Sequence, residues 1–150
     1  MAQRKWGELM EITENRLKHS HAVALKMKEF AKEKHDQFPV QPDEAFILGM
    51  LHDIGYEFVD EQQEHASAGG RMLKEQGYKY WEEVFYHGIP QDQYDSPMLR
   101  LLNYVDMITG PDGTYMSIDE RIDDIAKRYG KDSRQEKEAI KLADFIAKMI

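Results

Sequence analysis

An all-α fold is the reading this chain invites, and three observations carry it. Apolar residues recur at helical spacing along most of the length, strand-like alternation is scarce, and helix start and stop signals punctuate the chain. At 150 residues, 41% of them hydrophobic, the chain is most simply one domain with an ordinary core. No repeat, low-complexity stretch or linker divides it. The expectation is a compact bundle of seven or eight helices spanning residues 1–150.

Taken in order, residues 3–14 suit a first helix with Trp6, Leu9, Met10 and Thr13 on a modest apolar face. A second, about 16–34, carries Leu17, Val23, Met27, Phe30 and Ala31 and ends in the break Lys34-His35-Asp36-Gln37-Phe38-Pro39. Pro42 fits the first turn of a third helix, where its missing N–H costs little, and Asp43 and Glu44 complement the helix dipole. The apolar run Ala45-Phe46-Ile47-Leu48-Gly49-Met50-Leu51 reads as a buried helix, with Gly55 placed to stop it in the left-handed conformation. After a polar loop come short helices at about 64–76, closed by Gly77, and 79–87. The loop from Gly88 to Pro97 precedes a strongly periodic helix at 98–109, which Gly110-Pro111-Asp112-Gly113 ends. Capping boxes, Ser117 with Glu120 and Ser133 with Glu136, announce two last helices separated by Gly130. These C-terminal helices, about 117–149, are expected to pack on the rest.

Composition narrows the function. With no cysteine, disulfides, thiolate metal sites and cysteine nucleophiles are excluded. The formal charge of -8 disfavours broad binding to a nucleic-acid duplex and long-range steering of anions. A phosphate substrate would therefore depend on local positive charge. Mean hydropathy is -0.71, and no run approaches the roughly 18 to 20 apolar residues of a membrane span. The N-terminus lacks the apolar stretch of a secretory signal, so a cytoplasmic location away from membranes is the expectation.

His52 and Asp53 stand side by side at the end of the third helix's apolar run. Two ionisable residues carried into an interior need compensation, and a divalent metal provides it, taking neutral imidazole and carboxylate as ligands. Among the other histidines, His19 shares an apolar helix face with Ala22, Val23 and Phe30. His21 falls on a polar stripe and His35 in a helix-end break; both read as surface residues. Asp106 lies seven residues after Leu99 and four after Leu102 on an apolar helix, where it needs a partner, either an arginine or a metal. His65 opens a short helix whose Ala66, Ala68, Gly69 and Gly70 allow close approach of a neighbour. His87 ends the next. Each has an ordinary structural account, His65 as a hydrogen-bonding helix start and His87 as a C-terminal cation.

The ordered set Arg16-Leu17-Lys18-His19-Ser20-His21-Ala22-Val23, Leu51-His52-Asp53-Ile54-Gly55, His65-Ala66, His87 and Val105-Asp106 resembles the HD-domain superfamily of metal-dependent phosphohydrolases. The resemblance covers about residues 16–110. It implies an all-α fold in which His19, His52, Asp53 and Asp106 hold a metal. Some members add two histidines and a second ion, and His65 and His87 stand where those would be. The resemblance thus implies a binuclear site bridged by Asp53, with His19, His52 and Asp106 on one ion and His65 and His87 on the other. The cofactor is then one or two divalent ions of iron, manganese, nickel or zinc, with magnesium possible. No Gly-Tyr-Pro motif follows the central pair, against the cyclic-dinucleotide branch. Tyr56 stands where many relatives have lysine, which leaves the leaving-group acid unassigned.

On this reading the catalytic residues are Asp53, His52 and Arg16, and the substrate is a small phosphate ester or nucleotide attacked by a metal-activated water. Arg16, three residues before His19, is either a bidentate phosphate clamp or a salt-bridge partner of Glu14. Lys18, Arg71 and Arg100 are weaker cationic candidates. In the acidic stretch Glu57, Asp60, Glu61 and Glu64, a solvated loop outweighs a proton shuttle. The loops 88–97 and 110–116 are placed to line the substrate opening. Two other classes fit the same residues: a di-iron oxygenase or hydratase on the same scaffold, and a non-catalytic metal- or ligand-binding regulatory module.

Overall fold

The computed structural model describes residues 6–57 and 64–150, with the side chains of 6–12 and 57 outside the described set. Seven α-helices follow in order: α1 Trp6–Glu33, α2 Pro42–Leu51, α3 His65–Glu75, α4 Trp81–Tyr86, α5 Pro97–Met107, α6 Ile118–Tyr129 and α7 Arg134–Met149. A single 3-10 turn, Ile54–Glu57, lies between α2 and α3. The one bridge among the described residues, Thr109 to Tyr115, pinches a loop rather than starting a sheet. The all-α architecture is as expected, and no described helix is long and apolar enough to cross a membrane.

Two expected helices are one. Residues 6–33 form a continuous 28-residue helix, where a break near residue 15 was expected. Neither glycine nor proline occurs between Gly7 and Glu33, so nothing local interrupts the hydrogen-bond ladder. The face expected from Trp6, Leu9 and Met10 lies outside the described side chains. Farther along, Val23, Ala24, Met27 and Ala31 are buried, but Leu17, expected on the apolar face, is exposed.

Helix α2 begins as expected. The Gln41 side chain accepts from Glu44 N–H at 2.6 Å and Pro42 occupies the first turn. Its end differs. The helix stops at Leu51, His52 caps it in helical geometry, and Gly55 does not adopt a left-handed conformation. Gly55 instead permits contact: a Cβ there would lie 1.7 Å from the His65 carbonyl oxygen. Nor is α2 buried all round. Ala45, Leu48 and Gly49 face inward while Ile47 and Met50 are exposed. Gly49 sits against the Ala24 backbone, where a Cβ would come within 2.5 Å of Ala24 Cα, so α1 and α2 cross closely.

The main core joins Val23, Met27 and Ala31 of α1 to Leu48 of α2, Leu73 of α3, Val84 of α4, and Leu101, Leu102 and Val105 of α5. Helix α5 starts at a Ser96 cap with Pro97 behind it. The C-terminal pair forms a second cluster, in which Ala139, Ala143 and Ile146 of α7 pack with Met107, next to Ile118, Ile122 and Ile125 of α6. The Ser117–Glu120 capping box is complete. At α7 it is displaced by one residue: Ser133 accepts from Glu136 N–H, but the Glu136 carboxylate takes the N–H of Asp132.

Candidate metal centre

Two histidines reach the centre by the same local device. His52 caps α2 and His87 caps α4, and each imidazole turns back on its own helix end. Nδ1 of His52 lies 2.6 Å from the Gly49 carbonyl, and Nδ1 of His87 lies 2.6 Å from that of Val84, three residues back in both cases. A carbonyl oxygen only accepts, so both Nδ1 atoms carry hydrogen and satisfy orphan carbonyls of the helix terminus. His87, expected as a C-terminal cation, thus bonds the end of its own helix through Nδ1, and its other nitrogen is left for the centre.

His19 reaches the same arrangement over a long range. It is buried on α1, and Nδ1 donates to the Gly110 carbonyl at 2.9 Å. The loop carrying Gly110 is held against α1 by Tyr115, whose hydroxyl donates to the Ala22 carbonyl at 2.7 Å. Gly113 makes that seat possible. Its φ is +88°, and a Cβ would lie 2.8 Å from the Lys18 carbonyl oxygen. The 110–116 loop thus supports His19.

With their Nδ1 atoms committed to carbonyls, all three rings aim Nε2 inward. His19 Nε2 lies 2.9 Å from Asp106 Oδ1, 3.3 Å from His52 Nε2 and 3.4 Å from Asp53 Oδ2. His52 Nε2 is 3.3 Å from both Asp53 Oδ2 and Asp106 Oδ1. The other oxygen of Asp53 faces a different pair: Oδ1 is 3.2 Å from His65 Nε2 and 3.6 Å from His87 Nε2. Those two nitrogens are 3.3 Å apart. One carboxylate therefore presents its two oxygens to two histidine sets.

The electrostatics follow from this crowding. Burial draws His52 down, but the Asp53 and Asp106 carboxylates outweigh it and hold its pKa well above the ordinary imidazole value. His19 is raised in the same way, against its burial, chiefly by Asp106. Burial would lift Asp53, yet His52, His65 and His87 hold it well below the usual carboxylate range. Asp106 is lowered by His52 and His19, again against burial. The arginine partner considered for Asp106 is not among its described ion pairs, which are with His19 and His52.

The donor set suits divalent cations. Ligands about 2.0–2.2 Å from one ion stand about 3–3.5 Å from each other, which is the spacing of these nitrogens and oxygens. Imidazoles whose Nδ1–H is fixed by a carbonyl offer Nε2 as the ligand, the usual outer-shell arrangement at metal sites. Two groups of donors meet the spacing: His19, His52 and Asp106, and His52, Asp53 and His87. His65 closes on the second through Asp53 and His87.

The remaining candidates separate. Arg16 is half-buried, with its guanidinium carbon 4.4 Å over the Tyr56 ring. No described ion pair joins it to Glu14 or another carboxylate. Arg100 is engaged elsewhere, forming two bonds to Asp95 at 2.9 and 2.5 Å and one to the Met149 carbonyl. Lys18 and Arg71 are exposed, as are His21 and His35. His35 Nδ1 lies 3.2 Å from the Ala31 carbonyl near the end of α1. Asp60 and Glu61 lie outside the described residues, and Glu64 is exposed. The 88–97 loop is pinned by buried Glu83, which accepts from the Tyr94 and Ser96 hydroxyls at 2.7 and 2.6 Å.

Two features had little sequence signal. The carbonyls of Gly49, Val84 and Gly110 orient rings, and backbone groups leave no residue-type mark. Tyr56, marked in the sequence only as a departure from lysine, stacks on His65 with centroids 4.2 Å apart and planes 7° from parallel. Burial first, then Asp53 and Asp106, pushes its phenol pKa well up, so the hydroxyl stays protonated.

Among known proteins, the HD-domain family model matches residues 16–149. No curated protein and no solved structure matches the chain.

Proposed function

The chain belongs to the HD-domain family, and from that premise we propose that it is a binuclear metal-dependent phosphohydrolase acting on a small phosphate ester or nucleotide. The observation that carries the reading is the two-sided carboxylate of Asp53, with Oδ2 toward His19 and His52 and Oδ1 toward His65 and His87. In this reading His19, His52 and Asp106 hold one ion, His65 and His87 the other, and Asp53 bridges them. Nitrogen and carboxylate donors favour iron, manganese, nickel or zinc, with magnesium a weaker match. Divalent ions held there supply Lewis acidity, lowering the pKa of water toward neutrality and offsetting charge on a phosphoryl group.

The chain's own residues do the rest. His52, His87 and His19 are held as neutral-capable donors by carbonyls behind them, which fixes each ring before substrate arrives. Arg16, packed on Tyr56, has no described carboxylate partner, so its N–H groups serve as a clamp for two phosphate oxygens. Its place one turn before His19 puts that charge beside the centre rather than spreading it over an acidic surface.

Elemental analysis of the purified protein, joined to a screen of phosphate monoesters, diesters and nucleotides across divalent metals, tests the reading. Two metal equivalents and phosphate-ester cleavage are expected. Asp53→Ala should lose both ions and all activity together, and full metal retention would sink the bridging role. Oxygen uptake with an organic substrate, and no ester cleavage, would assign the scaffold to oxidative chemistry instead.

A further inference from the structure

Next to the centre stands a stack that the ligand set does not include. Tyr56 lies flat on His65, with centroids 4.2 Å apart and an interplanar angle of 7°. The Arg16 guanidinium carbon lies 4.4 Å from the same Tyr56 centroid. One tyrosine ring thus meets both the imidazole and the guanidinium. Both contacts are energetically favourable: a parallel ring contact with the imidazole, and a cation over a π-face with the guanidinium.

The backbone brings this ring to His65. Gly55, the residue before Tyr56, sits so close to α3 that a Cβ would fall 1.7 Å from His65 O and 2.9 Å from Gly69 N. Gly69 returns the contact, its own Cβ position being 3.0 Å from Gly55 N. Two glycines on two elements thus bring the 3-10 turn onto the first turns of α3, which delivers the tyrosine ring to His65.

We infer that Tyr56 is a positioning residue which, through its ring, holds a ligand of the second metal and the phosphate-clamping arginine in fixed relation. This rests on the binuclear reading proposed above. His65 opens α3 with its imidazole flat against the aromatic ring. Arg16, with its guanidinium carbon 4.4 Å from the centroid of the same ring, gains a cation–π seat that needs no carboxylate partner and leaves N–H groups for a phosphate. The phenol oxygen has no part in either contact. The ring alone carries the function, and phenylalanine should replace it.

Titration of metal-free protein with Mn²⁺, followed by inorganic phosphate binding to the loaded protein, tests this. Wild type and Tyr56→Phe should bind two equivalents with matching affinities. Tyr56→Leu should keep the first equivalent unchanged and bind the second about 10- to 100-fold more weakly, the usual effect of losing a ligand's supporting group. Phosphate binding should weaken in Tyr56→Leu and in Arg16→Ala, with the double variant no worse than Arg16→Ala alone. If Tyr56→Leu does not fold, Tyr56→Met makes the same comparison. An unchanged second site in the leucine or methionine variant overturns the hold on His65, and additive phosphate losses overturn the hold on Arg16. A wild-type protein that binds one equivalent fails earlier, at the binuclear reading itself.

Discussion

Asp53 and Arg16 show how single side chains can be read at different depths. The ordered histidines and aspartates could be picked out of the sequence because polar residues on apolar helices need a reason to be there. The split of Asp53 between two histidine sets, at 3.3 to 3.4 Å on one side and 3.2 to 3.6 Å on the other, could not be, since it depends on how four helices come together. Arg16 was evenly divided between clamp and salt bridge from sequence; it lies 4.4 Å from the Tyr56 ring centroid with no described carboxylate partner, and the clamp is the role proposed for it. Arg16→Ala should therefore leave metal content intact and weaken phosphate binding about 10- to 100-fold, or ~1.5–3 kcal/mol, as expected for losing charged hydrogen bonds. Arg16→Lys should recover only part, because a point charge does not reproduce the planar fork. Calorimetric phosphate titration of both variants checks this.

At the scale of elements, most helices were legible because their signals are local. Pro42 and the pair Ser117 with Glu120 mark starts that the structure uses, while the cap at Ser96 and the start at Pro97 were read as loop. The misreadings came where tertiary contact outranks local preference. The first two expected helices merge into the 28 residues of α1, for want of any breaker. Gly55 was read as a left-handed stop and is instead a contact point. The distinction can be measured against Gly77, which has φ +78° and open space around a would-be Cβ. Gly77→Ala should cost about 1–2 kcal/mol from backbone strain alone and leave the metal content unchanged. Gly55→Ala must push α3 away, and should cost about 3 kcal/mol and weaken the second metal site as well. Urea denaturation and metal analysis of the two variants, side by side, separate strain from displacement.

For the whole molecule, charge balance at the centre links metal, protons and stability. In metal-free protein His52, raised above 6.5, contributes stability that is complete below that value and lost as pH rises through its higher folded pKa. Asp53 and Asp106, depressed below 3.8, contribute stability present above that value and lost as pH falls through their lower folded pKa. Metal-free protein should accordingly be best poised between those limits and weaken on the alkaline side. A cation takes the place of the imidazole protons, so its binding releases protons and strengthens with pH. The gap in Tm between metal-loaded and metal-free protein should widen from about pH 6 to about pH 8, near the imidazole range. Differential scanning calorimetry with and without chelator checks the sign; a gap that narrows would contradict it.

The support of His19 by Gly110 has a temporal side. His19 and Asp106 are 87 positions apart in sequence, and His19 and Gly110 are 91 apart. Contacts of that span are closed only after the helices between them have collapsed, since the entropy of the intervening loop is spent before the contact returns anything. The donors are then a record that the fold is finished. An ion can grip native chain but not the half-assembled one, and so it acts on the exit rather than the entrance: it lengthens the lifetime of the folded protein while leaving the speed of its formation almost untouched.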